Sequence, residues 1–129
     1  MAHTISIQPK GAYLHVTVTG DNTPEDIGGY FEEVLEACQQ HQCFNILIEE
    51  NLRGPTIGTF PTYEVITKNI SQLLAYDHHL AYVDANPEHD WDNNQFGETV
   101  AVNRGISLKV FSNAPEAEEW LLEQSRGKH

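Results

Sequence analysis

The sequence predicts an α/β fold in which a mixed β-sheet carries helices mainly on one of its faces. Two segments rich in β-formers surround a glycine-containing turn at the start of the chain, which indicates a hairpin. Strand-like apolar runs and segments of helical spacing then alternate, which favours parallel pairing through right-handed crossovers. The 129 residues match one domain, residues 1–129, with a single core. The predicted element order is ββαβαβαβα.

The hairpin is predicted at residues 3–19. Residues 3–7 alternate polar and apolar side chains, residues 9–11 contain proline and glycine, and residues 13–19 are rich in β-branched side chains. Alternation with a period of two is typical of a strand with one buried face. This segment should therefore form the antiparallel edge of the sheet.

The first helix is predicted to begin after Thr23. Threonine is a frequent N-cap residue, and Pro24 suits the first helical position because its missing N–H would be unpaired there anyway. Apolar residues then recur at helical spacing, at Ile27, Phe31, Val34, Leu35 and Cys38.

The rest of the chain repeats strand and helix. Three short, mostly apolar runs predict strands, at residues 44–48, 79–84 and 106–111. Helical spacing predicts three more helices, at residues 61–75, 96–104 and 114–122. Gly105 is a plausible stop for the third of the four helices. The polar segments 49–59 and 86–94 are predicted as loops, and residues 125–129 as a frayed tail.

Charge and hydropathy exclude several classes of protein. The chain carries 7 Lys+Arg against 19 Asp+Glu, a formal net charge of −12. This balance opposes binding to nucleic acid and docking on anionic lipid, because both depend on basic side chains. No run reaches the ~18 apolar residues of a transmembrane segment, and residues 1–10 lack the apolar core of a signal peptide. We expect a cytoplasmic protein whose Cys38 and Cys43 are free thiols.

The whole chain, in the order of its elements, resembles the SpoIIAA-like branch of the STAS superfamily, the sulfate-transporter and anti-sigma-factor-antagonist domains, most specifically in its C-terminal third. Residues 20–26 are similar to the family's G-x-x-T-x-E-D start of the first helix, and residues 96–122 to its closing helix–strand–helix. The resemblance implies a non-enzymatic regulatory module that docks on a protein partner through the start of the second helix.

The regulatory serine of the anti-sigma-antagonist branch lies in a pattern like Asp-x-Ser-Ser-Gly at the start of the second helix. Residues 53–62 of this chain read RGPTIGTFPT and lack that core. The resemblance therefore does not carry over an anti-sigma kinase as partner. It leaves phosphorylation of Thr56 or Thr59 as a prediction.

The segment at residues 51–62 is the best candidate binding site. It joins the carboxyl end of a central strand to a helix N-terminus, where ligands of open α/β sheets bind and where free amides attract anions. The candidate binding residues are Arg53, Thr56, Thr59, Phe60 and Tyr63.

Three interpretations of this segment stay open. It docks a protein partner, or it binds a small anionic or amphiphilic ligand, including one at a membrane surface. In the third interpretation it is an ordinary loop whose threonines cap the helix and whose Arg53 pairs with Glu49 or Glu50. A homo-oligomer also stays open, because exposed aromatic residues such as Trp91 permit self-association.

Residues 84–94 are the second candidate and are predicted to be a solvated loop. Asp90, Asp92 and Asn94 match the start of an EF-hand loop, but Gln95 stands at the glycine position and no glutamate closes the loop. His89 stands alone, whereas zinc needs three or four close ligands. We therefore expect no metal and no cofactor, and expect the seven histidines to be surface groups.

Enzymatic motifs are missing from the sequence. It contains no G-x-S-x-G elbow, no phosphate-binding P-loop and no dinucleotide-binding glycine fingerprint. Glu49 and Glu50 are adjacent, so on a strand they would point to opposite faces. We expect the protein not to be an enzyme.

Overall fold

A computed structural model describes residues 3–55 and 58–126. The elements follow the predicted order and are β1 (His3–Pro9), β2 (Leu14–Asp21), α1 (Pro24–His41), β3 (Asn45–Arg53), α2 (Thr59–Val65), β4 (His79–Asp84), α3 (Trp91–Asn103), β5 (Leu108–Phe111) and α4 (Ala114–Arg126). A π-helical turn (Ile66–Ile70) and a 3-10 turn (Ser71–Ala75) continue α2.

The five strands form one mixed sheet in the order β1-β2-β3-β4-β5. β1 pairs with β2 in antiparallel fashion, and the other three pairings are parallel. The predicted mixed sheet with an N-terminal antiparallel hairpin is confirmed.

The helices lie mainly on one face, as predicted. α1, α2 and α3 cover the face that holds the larger apolar core, which includes Val16, Val34, Ile48, Leu73 and Leu80. α4 alone packs on the opposite face, against β3, β4 and β5. There Leu121 and Ala117 contact a smaller core with Leu47, Ala81 and Val83.

β3 is longer than predicted and extends to Arg53. Its alternate residues Ile46, Ile48, Glu50 and Leu52 are all buried on the three-helix face. The prediction ended the strand at residue 48 because a pair of glutamates follows. The period of two continues through Glu50, so this ending was wrong.

Two helices also differ from their predicted bounds. α3 begins at Trp91 rather than residue 96, because the Asp90 carboxylate accepts the N–H of Asp92 at 3.0 Å and caps the helix. The predicted helix at residues 61–75 departs from α-geometry after Val65. The hydroxyls of Thr67 and Ser71 donate to backbone carbonyls there, a competition that disturbs regular helices.

The predicted frayed tail begins inside the last helix. α4 ends at Arg126, and residues 127–129 of the tail lie outside the described residues.

Cys38 and Cys43 are free thiols, as expected. Burial raises the pKa of the Cys38 thiol to about 12, which makes it a poor nucleophile. None of the described helices is long and apolar enough to cross a bilayer.

Candidate functional site

A cavity with a volume of ≈ 80 Å³ lies where β3 and β4 end, beneath α1, α2 and α3. This is the position at which open α/β sheets bind ligands. Its principal polar lining residues are Asn22, Tyr30, Glu50, Tyr82, Asp84, His89, Asn93 and Asn94. Its apolar lining residues are Ile27, Phe31, Val65, Ile66, Leu108 and Val110.

Glu50 is the central polar group of this cavity and is almost fully buried. The Tyr30 hydroxyl donates to one carboxylate oxygen and the Tyr82 hydroxyl donates to the other. Burial raises the pKa of Glu50 to about 7, against the lowering effect of the two hydroxyl groups. Burial beside Glu50 also holds the pKa of both tyrosines well above 10. Glu50 therefore changes charge near neutral pH.

Asp84 and His89 form a second buried pair beside Glu50. Asp84 is the register partner of Glu50 on the neighbouring strand. Its Oδ2 lies 2.7 Å from His89 Nδ1, and the two side chains are 5% and 4% exposed. Two further donors reach this carboxylate, the Asn86 N–H at 3.1 Å and the Asn94 amide at 3.3 Å.

The surroundings of His89 favour its imidazolium form. Its Nδ1 faces the Asp84 carboxylate, and its Nε2 lies 2.8 Å from the carbonyl of Gly54. Both partners accept, so both ring nitrogens donate. Burial by itself lowers the pKa of His89, but the Asp84 carboxylate and the Gly54 carbonyl outweigh it, and the net effect is a raised pKa.

Small and polar residues bring α2 and α3 together over the cavity. A Cβ atom added to Gly97 would lie 3.2 Å from the methyl group of Thr62, so glycine permits this close approach. The Asn93 amide donates to the Thr62 hydroxyl at 3.1 Å, and that hydroxyl donates to the Gly58 carbonyl at 2.7 Å. These contacts hold α2 and α3 in place over the cavity.

Arg53, Phe60 and Tyr63, three of the predicted site residues, do not line this cavity. Arg53 is the last residue of β3, is exposed, and pairs with Asp21 at 3.1 Å. The expected pairing of Arg53 with Glu49 or Glu50 was therefore wrong. Glu49 lies 2.6 Å from His15, and Glu50 is occupied by the two tyrosines.

Three of the other predicted residues, Thr59, Phe60 and Tyr63, belong to α2. Phe60 is 69% exposed and Tyr63 is 41% exposed. Thr59 is the first residue of α2, and Thr56 lies outside the described residues. Gly58 occupies the N-cap position, so the expected threonine cap was wrong. Phosphorylation of Thr56 or Thr59 stays a prediction.

The second segment, residues 84–94, is much less solvated than predicted. Asp84 and His89 are buried, because the loop folds back over the ends of β3 and β4. His78 is buried too, and its Nε2 accepts the N–H of Ser107 at 3.0 Å. The expectation that all histidines are surface groups was wrong for these two. Within residues 3–55 and 58–126, no three His, Cys, Asp or Glu side chains are placed to hold a metal ion.

The sequence prediction missed Tyr30, Glu50 and Tyr82. The available signal was the period of two in the strands. Glu50 continues the buried face of Ile46 and Ile48, and Tyr82 shares the face of Leu80. A charged residue on a face that is otherwise apolar indicates a special environment.

Comparison with known proteins gives a similarity of structure. Neither the models of protein families nor the curated proteins match this sequence. Among solved structures, the fold is similar to that of a serine-to-glutamate variant of RsbS from Moorella thermoacetica. The TM-score is 0.57 at 15% sequence identity, over 95% of this chain and 97% of that one. RsbS is a STAS-domain protein, so the predicted STAS fold is confirmed.

Proposed function

We propose that this chain, whose fold is the STAS fold, is a non-enzymatic regulatory module that docks on a protein partner through the start of α2. One observation carries the proposal. The Phe60 ring is 69% exposed in the first turn of α2, beside the half-exposed Tyr63. Large exposed aromatic side chains are frequent at the energetic centre of protein interfaces.

The residues around Phe60 form a surface with the composition of an interface. We call this surface, made of Phe60, Tyr63 and Arg104, the α2 surface. Arg104 donates to the Tyr63 hydroxyl at 2.6 Å, and its guanidinium carbon lies 5.2 Å from the centre of the ring. Tyr63 is thereby held in one orientation before a partner arrives, which reduces the entropy lost on binding.

The charge of the chain indicates the chemistry of the partner. With a formal net charge of −12, the protein attracts basic surfaces and repels acidic ones. Glu64 follows Tyr63 on α2, and its side chain is 44% exposed, whereas that of Lys68, 4.0 Å away, is 72% exposed. We therefore propose a partner with an apolar pocket for Phe60 and a basic rim around it.

His89 and the two tyrosines of the cavity are poorly placed to act as general bases. A general base takes a proton from the substrate. Both nitrogens of His89 already face acceptors, and the hydroxyls of Tyr30 and Tyr82 donate their own protons to Glu50. For these three side chains the arrangement supports recognition rather than catalysis.

A photo-reactive amino acid at position 60 tests the docking proposal in the source cell. The cross-linked protein is identified, purified, and its affinity is measured with four versions of the chain. We expect Phe60→Ala to weaken binding at least tenfold, and Arg53→Glu to strengthen it, because the added acidic charge attracts the basic rim of the partner. Glu119→Ala, an exposed change on α4 across the sheet, is the matched control and should bind as the unaltered chain does. Equal affinity of all four would contradict docking at the α2 surface.

The binding of a small ligand in the cavity is a second candidate function. The cavity combines an apolar wall with a polar rim at the strand ends, which supports the amphiphilic ligand predicted from the sequence. The carboxyl groups of Glu50 and Asp84 disfavour the anionic ligand that was also predicted from the sequence, because like charges repel strongly where water is excluded.

A further inference from the structure

We propose that the cavity at the ends of β3 and β4 binds a small organic cation, a primary ammonium group on a short apolar body. This inference rests on the second candidate function above and names the class of its ligand. Its basis is the combination of a cavity, buried carboxylates that face it, and an apolar wall.

The charges around the cavity favour a cation. Three carboxyl groups line it, those of Glu50, Asp84 and Glu98, and the described lining contains no lysine or arginine. His89 is the positive lining group, and it is paired with Asp84 at 2.7 Å. When Glu50 is ionised, it shares the one nearby imidazole, His89, with Asp84, so the carboxylates outnumber the positive groups. An ammonium group would neutralise the excess negative charge in a place that water screens poorly.

The hydrogen bonding at Glu50 leaves room for such a group. Tyr30 and Tyr82 each donate one hydrogen bond to the carboxylate, which offers about four lone-pair sites in total. The tyrosine oxygens can also accept. An ammonium group brings three donors and no acceptor, so it matches a site made of acceptors.

The apolar wall of the cavity limits the size of the apolar part of the ligand. Ile27, Val65, Ile66, Leu108 and Val110 face the same cavity, whose volume is ≈ 80 Å³. At ~10–15 Å³ per water this space holds roughly five to eight water molecules. A ligand of about the same number of non-hydrogen atoms, such as a four-carbon amine, would fill it.

The position of Glu50 is costly for the fold, which is consistent with a binding role. Ile46, Ile48 and Leu52 occupy the same face of β3 and contribute apolar packing. A buried carboxyl group among them loses hydration that the protein only partly replaces, and apolar residues of similar volume are often more stabilising there. Functional sites are where such costs accumulate.

Three probes of equal chain length test the proposal: n-butylamine, n-butanol and n-butyrate. Each is titrated into the ¹³C-methyl-labelled full chain at pH 8, and the methyl shifts of the five wall residues are followed. We expect n-butylamine to bind at least tenfold more tightly than the other two. Glu50→Gln should weaken amine binding at least tenfold and leave n-butanol binding unchanged. Glu49→Gln, the same change one residue away and on the opposite face of β3, should leave amine binding unchanged.

The outcomes test separately whether the cavity binds a ligand and whether that ligand is a cation. If none of the three probes shifts the wall methyl groups, the cavity is not a ligand site and the second candidate function fails with the proposal. If n-butyrate or n-butanol binds as tightly as n-butylamine, the site stands and its cationic class is overturned. If Glu50→Gln does not fold, the comparison of the three probes on the unaltered chain still decides. Equal amine affinity of a folded Glu50→Gln protein would overturn the role of Glu50.

Discussion

The two faces of the sheet are packed by different chemistry, although they share the same strands. On the α4 face, Leu47, Ala81 and Val83 meet Ala117 and Leu121 in an apolar layer. Its main polar contact, from the Tyr13 hydroxyl to Glu118 at 2.6 Å, lies at the margin. On the three-helix face, the apolar core is interrupted at the strand ends by Glu50 and by the pair of Asp84 and His89.

This difference follows from position along the strands. Residues in the middle of a parallel strand are covered on both sides and are apolar on either face. At the carboxyl ends the connecting loops diverge, helices α1, α2 and α3 meet only partly, and a cavity remains. The α4 face contributes stability, whereas the strand ends of the other face carry buried polar groups, which we propose serve recognition. Four predictions test this contrast.

His89→Ala should have the largest effect on stability. It leaves the Asp84 carboxylate buried without its cation, which typically costs ~3–5 kcal/mol of unfolding free energy. Urea unfolding at pH 7 measures the loss. Adding Asp84→Asn to His89→Ala should recover part of it, because the unpaired charge is then removed. A loss of unfolding free energy under ~1 kcal/mol would mean that the pair of Asp84 and His89 is exposed to solvent.

Leu121→Ala should lower the unfolding free energy almost as much as His89→Ala does, for a different reason. The side chain is 1% exposed beneath α4, and truncating a buried leucine costs about 3–4 kcal/mol through lost burial and the cavity left behind. The loss should be equal at pH 5 and pH 8, because no titrating group changes. Thermal unfolding at both pH values measures this loss. A loss that depends on pH would mean that a titrating group also contributes to the packing of the α4 face.

Rising pH should destabilise the protein through Glu50. The pKa of Glu50 is about 7 in the folded chain against 4.5 without the fold, so its contribution is fully present below pH 4.5. It is lost as the pH rises through 7, with a total of roughly 3 kcal/mol. The raised pKa of His89 acts in the same direction but above pH 6.5, so the test compares pH 4.5 with pH 6.5.

Glu50→Gln and Glu49→Gln separate the source of this pH dependence. Glu50→Gln should flatten the fall of the unfolding free energy between pH 4.5 and pH 6.5. Glu49→Gln should preserve it, because Glu49 lies on the other face beside His15. The same slope in both variants would assign the effect to another group.

Arg53→Ala should have the smallest effect, below ~1 kcal/mol. Its ion pair with Asp21 joins side chains that are 69% and 44% exposed, and exposed pairs are screened by water and salt. Equilibrium unfolding at low and high salt measures it. A larger loss would mean that the end of β3 is more tightly packed than its exposure indicates.

The order of elements and the mixed sheet could be predicted from the sequence, because each depends on short patterns. The hairpin, the Thr23 cap and the alternation of runs are all local. The Thr23 hydroxyl accepts the N–H of Asp26 at 3.1 Å, as its position before Pro24 suggests. The resemblance at residues 20–26 and 96–122 then pointed to the STAS fold, which the structural similarity confirms.

The cavity could not be predicted in the same way, because its groups are distant in the chain. Tyr30 lies 20 residues before Glu50, and Tyr82 lies 32 residues after it. They meet only through the pairing of β3 with β4 and the packing of α1 on the sheet, which brings Tyr30 to Glu50. The polar segment at residues 84–94 was misleading for a related reason. Composition indicates solvation, whereas the burial of His89 depends on its contact with Gly54 from another loop.

The pKa of Glu50 with and without an organic cation tests the central claim most directly. The ¹³C chemical shift of its side-chain carboxyl group is followed from pH 4 to pH 9 in the full chain, first alone and then with n-butylamine, which stays protonated over this range. We expect a midpoint of about 7 in the free protein and a lower midpoint with the amine, because a cation that binds the ionised form must favour ionisation. A midpoint that the amine leaves unchanged, or one near 4.5 in both titrations, would contradict a cation site built on a buried Glu50.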